Sequence, residues 1–288
     1  MEDINLTEII IQTISEILNG LFSSIDNTLY SFLDDIVFIN SDILNDNYFE
    51  QILGTSSSNG ILLIANSLLI GFVIYYASKI LLVNFITIEV QRPYQFIFKI
   101  IFFGICMNFS FFICEQIISI NSAISLSIRQ IGEYLFKRNI CFSEIIREIN
   151  SFIIIEGNSN IISFNGILKS FISIGLLNLV FSYSLRYVMI KVFILISPFA
   201  IISLSNISTS WFFKAWLKCF LSLLFIQILI SLILLLIFSF NFSGSDIFSK
   251  LMYIGGIYAL IKANSFIRDF MGGITTTISY NISNLKFR

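Results

Sequence analysis

WFFKAWLKCFLSLLFIQILISLILLLIFSF, Trp211 to Phe240, decides what kind of chain this is. From Lys218 to Asp246 no ionisable acid or base interrupts it. About 20 apolar residues in a helix match the roughly 30 Å of a bilayer's hydrocarbon core, so about Lys218 to Phe240 reads as a membrane span, the fifth along the chain. A second uncharged run lies between Glu50 and Lys79. The whole chain agrees: of 288 residues 56% are apolar and 12% charged, with a mean hydropathy of +0.88. A soluble domain carries about 25% charged residues, so water cannot be the main solvent here. The expectation is an all-α, polytopic transmembrane helical protein.

Working outward from Trp211, the preceding segment RYVMIKVFILISPFAIISLS begins at Arg186 and follows directly on an apolar run from about Gly166 to Leu185. Cations usually mark membrane faces, so a third and a fourth span are expected to meet in a tight turn near Arg186, with Lys191 on the same face. Pro198 sits mid-span and removes one backbone hydrogen bond, which makes it a candidate hinge. Trp211 and Trp216, with Lys214 and Lys218, read as interfacial anchors. After the fifth span, Leu251 to Ile261 is apolar but is stopped by Lys262 and Asn264, a length closer to a re-entrant piece than to a sixth span.

Upstream, Ile61 to Ser78 reads as the first span, with Tyr75 and Tyr76 at the interface. Tyr94 to Cys114 reads as the second, opened by Pro93, with Lys99 snorkelling to the headgroups. Ile120 to Phe164 mixes charged and apolar positions and suggests two short amphipathic helices outside the bilayer core. The expected organisation is therefore residues 1–60 as an acidic amphipathic extracytoplasmic segment, then 61–118 with two spans, 119–164 as an extracytoplasmic amphipathic helical region, 165–270 with three spans and a weaker closing helix, and 271–288 as a cationic tail.

Charge is split along the chain. The net −1 is −10 over the first 78 residues, which hold acids from Glu2 to Glu50 and no Lys or Arg, and +9 over the rest. Within this acidic part, Ile10, Ile14, Ile17, Leu21, Ile25, Phe32 and Ile36 fall on one helical stripe, so Ile4 to Val37 reads as an amphipathic helix. Lacking cations on its polar face, it suits packing on the protein's own helices or on a partner subunit better than an anionic lipid surface. The Lys and Arg distribution splits nearly evenly between the two faces of the membrane. The cation-free start favours an exported N-terminus.

Several chemistries find no residues to work with. The chain has no His, and its four Cys show no CxxC spacing. There is no phosphate-binding loop, dinucleotide fingerprint or nucleophile elbow. The expectation is a protein that is not an enzyme and holds no cofactor or metal. Ionisable or amide side chains within apolar segments are costly unless they pair or meet a partner, which singles out Arg186, Lys191, Gln227, Lys262 and Arg268 as candidate polar or partner contacts.

From Arg186 to about Gly273 the chain also resembles a family. A cation-tipped helix ending in SPFAIISL (Ser197 to Leu204), a short polar link, then WFFKAWLKCFLSLLFIQILISLILLL (Trp211 to Leu236) with an internal Gln227, and a weaker closing helix resemble the TrbL-type polytopic membrane component of conjugative type IV secretion systems. The resemblance implies a multi-pass subunit of the cytoplasmic (inner) membrane that forms a homo-oligomer. It also implies contacts with other channel subunits, secretion ATPases and membrane lipid, and transient contact with transferred DNA or relaxase. The alternative is a small-solute or ion transporter with a midplane site near Pro198. A pore-forming, holin-like protein is a third class, for which five spans are excessive.

Overall fold

A computed structural model describes residue 13 and residues 28–54, 60–83, 92–145, 147, 164–206, 208–240 and 247–271. Most of the expected amphipathic segment 4–37, the linker 55–59, the loop bearing Glu89, the second half of the 119–164 region and the tail 272–288 lie outside the described residues. In chain order the helices are α1 (Thr28–Val37), α2 (Asn47–Leu53), α3 (Ile61–Val83), α4 (Pro93–Asn108), α5 (Ser110–Phe136), α6 (Phe164–Ile202), α7 (Ser210–Ser239) and α8 (Ile247–Met271), with short 3-10 turns at Ser41–Leu44 and Ser203–Ser205. The described residues hold no strand. Four helices are long and apolar enough to cross a membrane, over Ile61–Leu82, Ser110–Phe136, Ile174–Ser205 and Ser210–Ser239, and Pro93–Asn108 and Leu251–Ala263 are shorter apolar helices. The chain is an all-α polytopic membrane protein, as its composition demands.

Helix ends follow local chemistry. Pro93 opens α4, and Arg92 before it is held extended (φ −61°, ψ 135°), as the residue preceding a proline must be. α2 is capped by Asp46, whose side chain accepts from the Tyr48 N–H, and it ends at Gly54 in the left-handed region (φ 89°). Gly60 packs so tightly on Gly54 that a Cβ there would lie 2.5 Å from the Gly54 Cα, so only a glycine closes this turn into α3.

Three expectations change. The two spans expected to meet at Arg186 are one helix: α6 runs unbroken for 39 residues. At about 1.5 Å per residue it is roughly 58 Å long, well beyond a bilayer core. No Gly or Pro stands near Arg186 to break it, and the guanidinium finds its partners inside the protein, so the charge does not force a turn. Next, the second expected span stops early. Asn108 Nδ2 bonds the Gly104 carbonyl at 2.9 Å, and Phe109 adopts φ −91°, ψ 7°, so α4 ends at Asn108 and α5 starts at Ser110. Finally, α5 carries the chain through Ile120 to Phe136 as one membrane-length helix where short amphipathic ones outside the bilayer were expected. Two of its polar residues, Asn121 and Ser125, are buried against α7.

The main core gathers α5, α6, α7 and α8, with Ile118, Leu179, Tyr183, Ile190, Leu223, Ile230, Leu234, Ile257 and Leu260 all buried. α1 lays Leu33 and Val37, both 0% exposed, against this core, so the described end of the acidic segment packs on the protein's own helices. The α3–α4 hairpin sits at the edge. It touches the rest through Ala65, Met107, Ile201 and Ile202, and holds itself together by a Tyr76–Phe96 stack. Leu63, Ile64, Ile70 and Ile74 along α3 are exposed. Lipid tails are as apolar as Leu, so such a face is at ease in a bilayer, while contacts inside the bundle gain by close packing and by hydrogen bonds.

Candidate functional site

The chemistry of this protein lies in polar groups turned into an apolar bundle. Between α5 and α7, Asn121 Nδ2 donates to Gln227 Oε1 at 3.4 Å, and the hydroxyls of Ser125 and Ser231 lie 2.7 Å apart. Both pairs are 106 residues apart in sequence, so the two helices run parallel and present one polar rung per turn. Ser231 also donates to the Gln227 carbonyl at 3.0 Å. All four side chains are buried. Gln227 is thus an interhelical tie, and the sequence alone offered no sign that Asn121 would be its partner.

Between the antiparallel α6 and α7 two further ties form. Trp216 Nε1 donates to the Phe193 carbonyl at 2.8 Å, while its ring stacks on Phe220 at 5.4 Å. Trp216 is 4% exposed, so it is a core residue and not an interfacial anchor; the indole found a carbonyl within the bundle that satisfies its N–H. Trp211 is 66% exposed. Pro198 is buried inside α6. The carbonyl it deprives of a donor is that of Ile194, four residues back, and Ser197 Oγ donates to that oxygen at 2.7 Å. The missing backbone bond is replaced by the neighbouring hydroxyl, which ties the proline into a continuous helix.

Arg186 is the largest fully buried side chain. Its Nε donates to the Leu223 carbonyl of α7 at 2.7 Å and its Nη1 to the Val37 carbonyl at 3.0 Å, while Nη2 has no partner among the described residues. Val37 is the last residue of α1, where unpaired carbonyls concentrate partial negative charge, so a cation there is favoured. Tyr183, one turn before Arg186, donates its hydroxyl to the Leu260 carbonyl of α8 at 3.0 Å. Around Arg186, then, α1, α6 and α7 are joined, and one turn away α8 joins them.

A second junction secures the acidic segment. Lys191 Nζ lies 3.3 Å from Asp46 Oδ2 and 5.5 Å from the centres of the Phe49 and Tyr187 rings, so it is held by α2 and by its own helix. Asp46 is held well below the usual carboxylate range, first by the Tyr48 N–H and then by Lys191. Asp34 of α1 accepts from the Phe142 N–H at 2.8 Å, the Ser143 N–H at 3.2 Å and the Ser143 hydroxyl at 2.7 Å, capping the helical turn that begins at Phe142. Arg129 of α5 stacks on Phe38 at 3.9 Å beside it, and Tyr253 of α8 donates to the Ile145 carbonyl at 2.8 Å. Burial pushes the Cys141 thiol up. Asp34 and Arg129 were missed as site residues, because a lone acid on an amphipathic stripe looks like a solvated one.

Lys262 and Arg268 belong elsewhere. Lys262 is exposed on α8, 5.6 Å from the centre of the Tyr258 ring one turn back. Arg268 lies near the end of the same helix. The structure therefore brings Arg186, Lys191, Pro198, Trp216 and Gln227 together along α6 and α7, and leaves Lys262 and Trp211 outside that group. Among the described residues no three His, Cys, Asp or Glu side chains gather as metal ligands would. What the group does chemically is to hold helices in register: Arg186 and Trp216 donate to carbonyls, and Asn121 to the Gln227 amide, across helix boundaries, in a low-dielectric interior where such bonds are strong. No family model, no curated protein and no solved structure matches this chain.

Proposed function

We propose that this chain is an integral subunit of a conjugative type IV secretion channel in the cytoplasmic membrane, assisting the passage of DNA or protein substrate. The observation that supports it is the fate of the segment carrying the TrbL resemblance. Arg186, Pro198, Trp216 and Gln227 are all buried and tie α6 to α7, α5 and α1. Such a segment suits a scaffold that keeps its shape while other subunits supply energy. Large exposed apolar faces, such as Ile97, Phe98, Ile101 and Phe102 on α4, suit contact with lipid and neighbouring subunits.

On this reading the chain works as a homo-oligomer with secretion ATPases and meets transferred DNA or relaxase transiently. The solute-transporter alternative has less to support it, because Pro198 is packed in the bundle with its freed carbonyl bonded by Ser197. The test is transfer and co-purification. Deleting the chain is expected to abolish conjugal transfer while solute uptake continues, and affinity purification in mild detergent is expected to recover secretion ATPases. A monodisperse monomer that moves a solute into liposomes overturns the proposal.

A further inference from the structure

Where α3 passes the link between α6 and α7, a groove of about 340 Å³ opens. Its size falls within the roughly 300–1,000 Å³ of small-molecule sites. One wall is apolar: Leu68, Gly71 and Phe72 of α3. The rest of the lining is polar: Tyr75 of α3, with Asn206, Ser208 and Thr209 of the link. Apolar along one length and hydroxyl- and amide-lined at the other, the groove matches an amphiphile.

The level of its polar end in the membrane follows from neighbouring residues. Tyr75, in the groove lining, is 57% exposed and Trp211, two residues past the lining residue Thr209, is 66% exposed, two amphipathic rings of the kind that settle at the headgroup boundary. Lys79 continues the stripe of Leu68, Phe72 and Tyr75 one turn further along α3, and Lys214 lies one turn into α7. No Asp or Glu occurs from Gly157 to Ser245, nor within Ile61–Val83, so the elements that build the groove carry cations and no acids.

We propose that this groove binds one anionic phospholipid, with an acyl chain along Leu68, Gly71 and Phe72 and the headgroup phosphate at Tyr75, Asn206 and Ser208, near Lys79 and Lys214. A phosphate accepts from hydroxyl and amide donors and is attracted by both lysines. The bound lipid bridges the α3–α4 hairpin and the α6–α7 link, which otherwise meet over a small apolar cluster. This inference is independent of any role in secretion.

Gly71 supplies the test. A Cβ there would meet nothing within 4 Å, so Gly71→Leu starts a bulky side chain at the groove wall from an open position, and Gly255 on α8, equally open at its Cβ, gives Gly255→Leu as a matched control. Full-length protein in detergent, mixed with dioleoyl phosphatidylglycerol or dioleoyl phosphatidylcholine and followed by native mass spectrometry, reads the bound lipid directly. The wild type and Gly255→Leu are expected to retain one phosphatidylglycerol in preference to phosphatidylcholine. Gly71→Leu is expected to lose it roughly tenfold, the loss of about two buried methylene groups. Lys79→Gln and Lys214→Gln are each expected to cut the preference for phosphatidylglycerol roughly fivefold. Equal retention by Gly71→Leu and Gly255→Leu overturns the proposal, as does equal retention of the two lipids. A change in the protein's oligomeric mass with unchanged lipid count also overturns it, since the groove then belongs to a contact between chains.

Discussion

The Arg186 guanidinium and the Val37 carbonyl, 149 residues apart in the chain, meet at 3.0 Å inside the bundle. That single bond joins the end of the acidic segment to the longest helix of the membrane region. A buried cation with no described carboxylate beside it is costly unless its hydrogen bonds are well made, and here two backbone carbonyls make them. Lys has a single ammonium in place of the planar fork and cannot reach both carbonyls in this geometry. Arg186→Lys is therefore expected to destabilise the protein by about 1–3 kcal/mol. Thermal melting in detergent measures this, and limited proteolysis is expected to cut near residues 38–45 sooner in the variant. An unchanged melt and an unchanged digest would show that the bond contributes nothing.

The rung between α5 and α7 makes a cycle. Gln227→Leu leaves the buried Asn121 amide without its partner and is expected to cost about 1–3 kcal/mol. Adding Asn121→Leu removes the orphan, so the double variant is expected to recover most of that loss. Melting curves of the four proteins give the coupling. Additive losses would argue that the 3.4 Å contact is not a working bond.

At Pro198 the hydroxyl of Ser197 substitutes for a backbone donor. Ser197→Ala is expected to cost about 1 kcal/mol in the wild type, by leaving the Ile194 carbonyl unbonded. In a Pro198→Ala background a backbone N–H is restored at that oxygen, and the same Ser197→Ala change is expected to be nearly silent. Equal effects in both backgrounds would detach the hydroxyl from the proline's role.

Asp46 carries a pH signature. Its carboxyl titrates below the ordinary aspartate value of about 3.9, so it stabilises the fold above that value, and the contribution disappears as pH falls through its lower folded-state value. Asp46→Asn is expected to melt lower than the wild type by a constant margin from pH 7 to pH 5. The gap is expected to close below about pH 4. A gap that does not narrow at all as the pH falls would show that the carboxylate's charge contributes nothing.

Much of the membrane layout is legible in residues 61–83 and 210–239, because a long uncharged apolar run has one stable fate in a bilayer. Arg186, Trp216 and Ser110–Phe136 misled for one reason. Rules that assign charges and Trp to interfaces treat each helix as if it met only lipid and water. Once another helix offers a carbonyl, a guanidinium or an indole N–H is satisfied at any depth. The Asp34 cap and the Asn66–Asn108 pair, whose amides lie 3.3 Å apart, bridge segments too distant in sequence for periodicity to connect.

By itself the sequence determined the solvent: 12% charge and uninterrupted apolar runs leave lipid as the only medium in which these helices keep their backbone bonds and bury nothing charged at a loss. Only the tertiary structure decided that Arg186 lies within one long helix, that Gln227 pairs with Asn121, and that α1 and α2 are fastened to the bundle through Val37 and Asp46. Hydrophobicity is a property of each residue in turn, whereas a hydrogen bond between helices depends on where two distant segments come to rest.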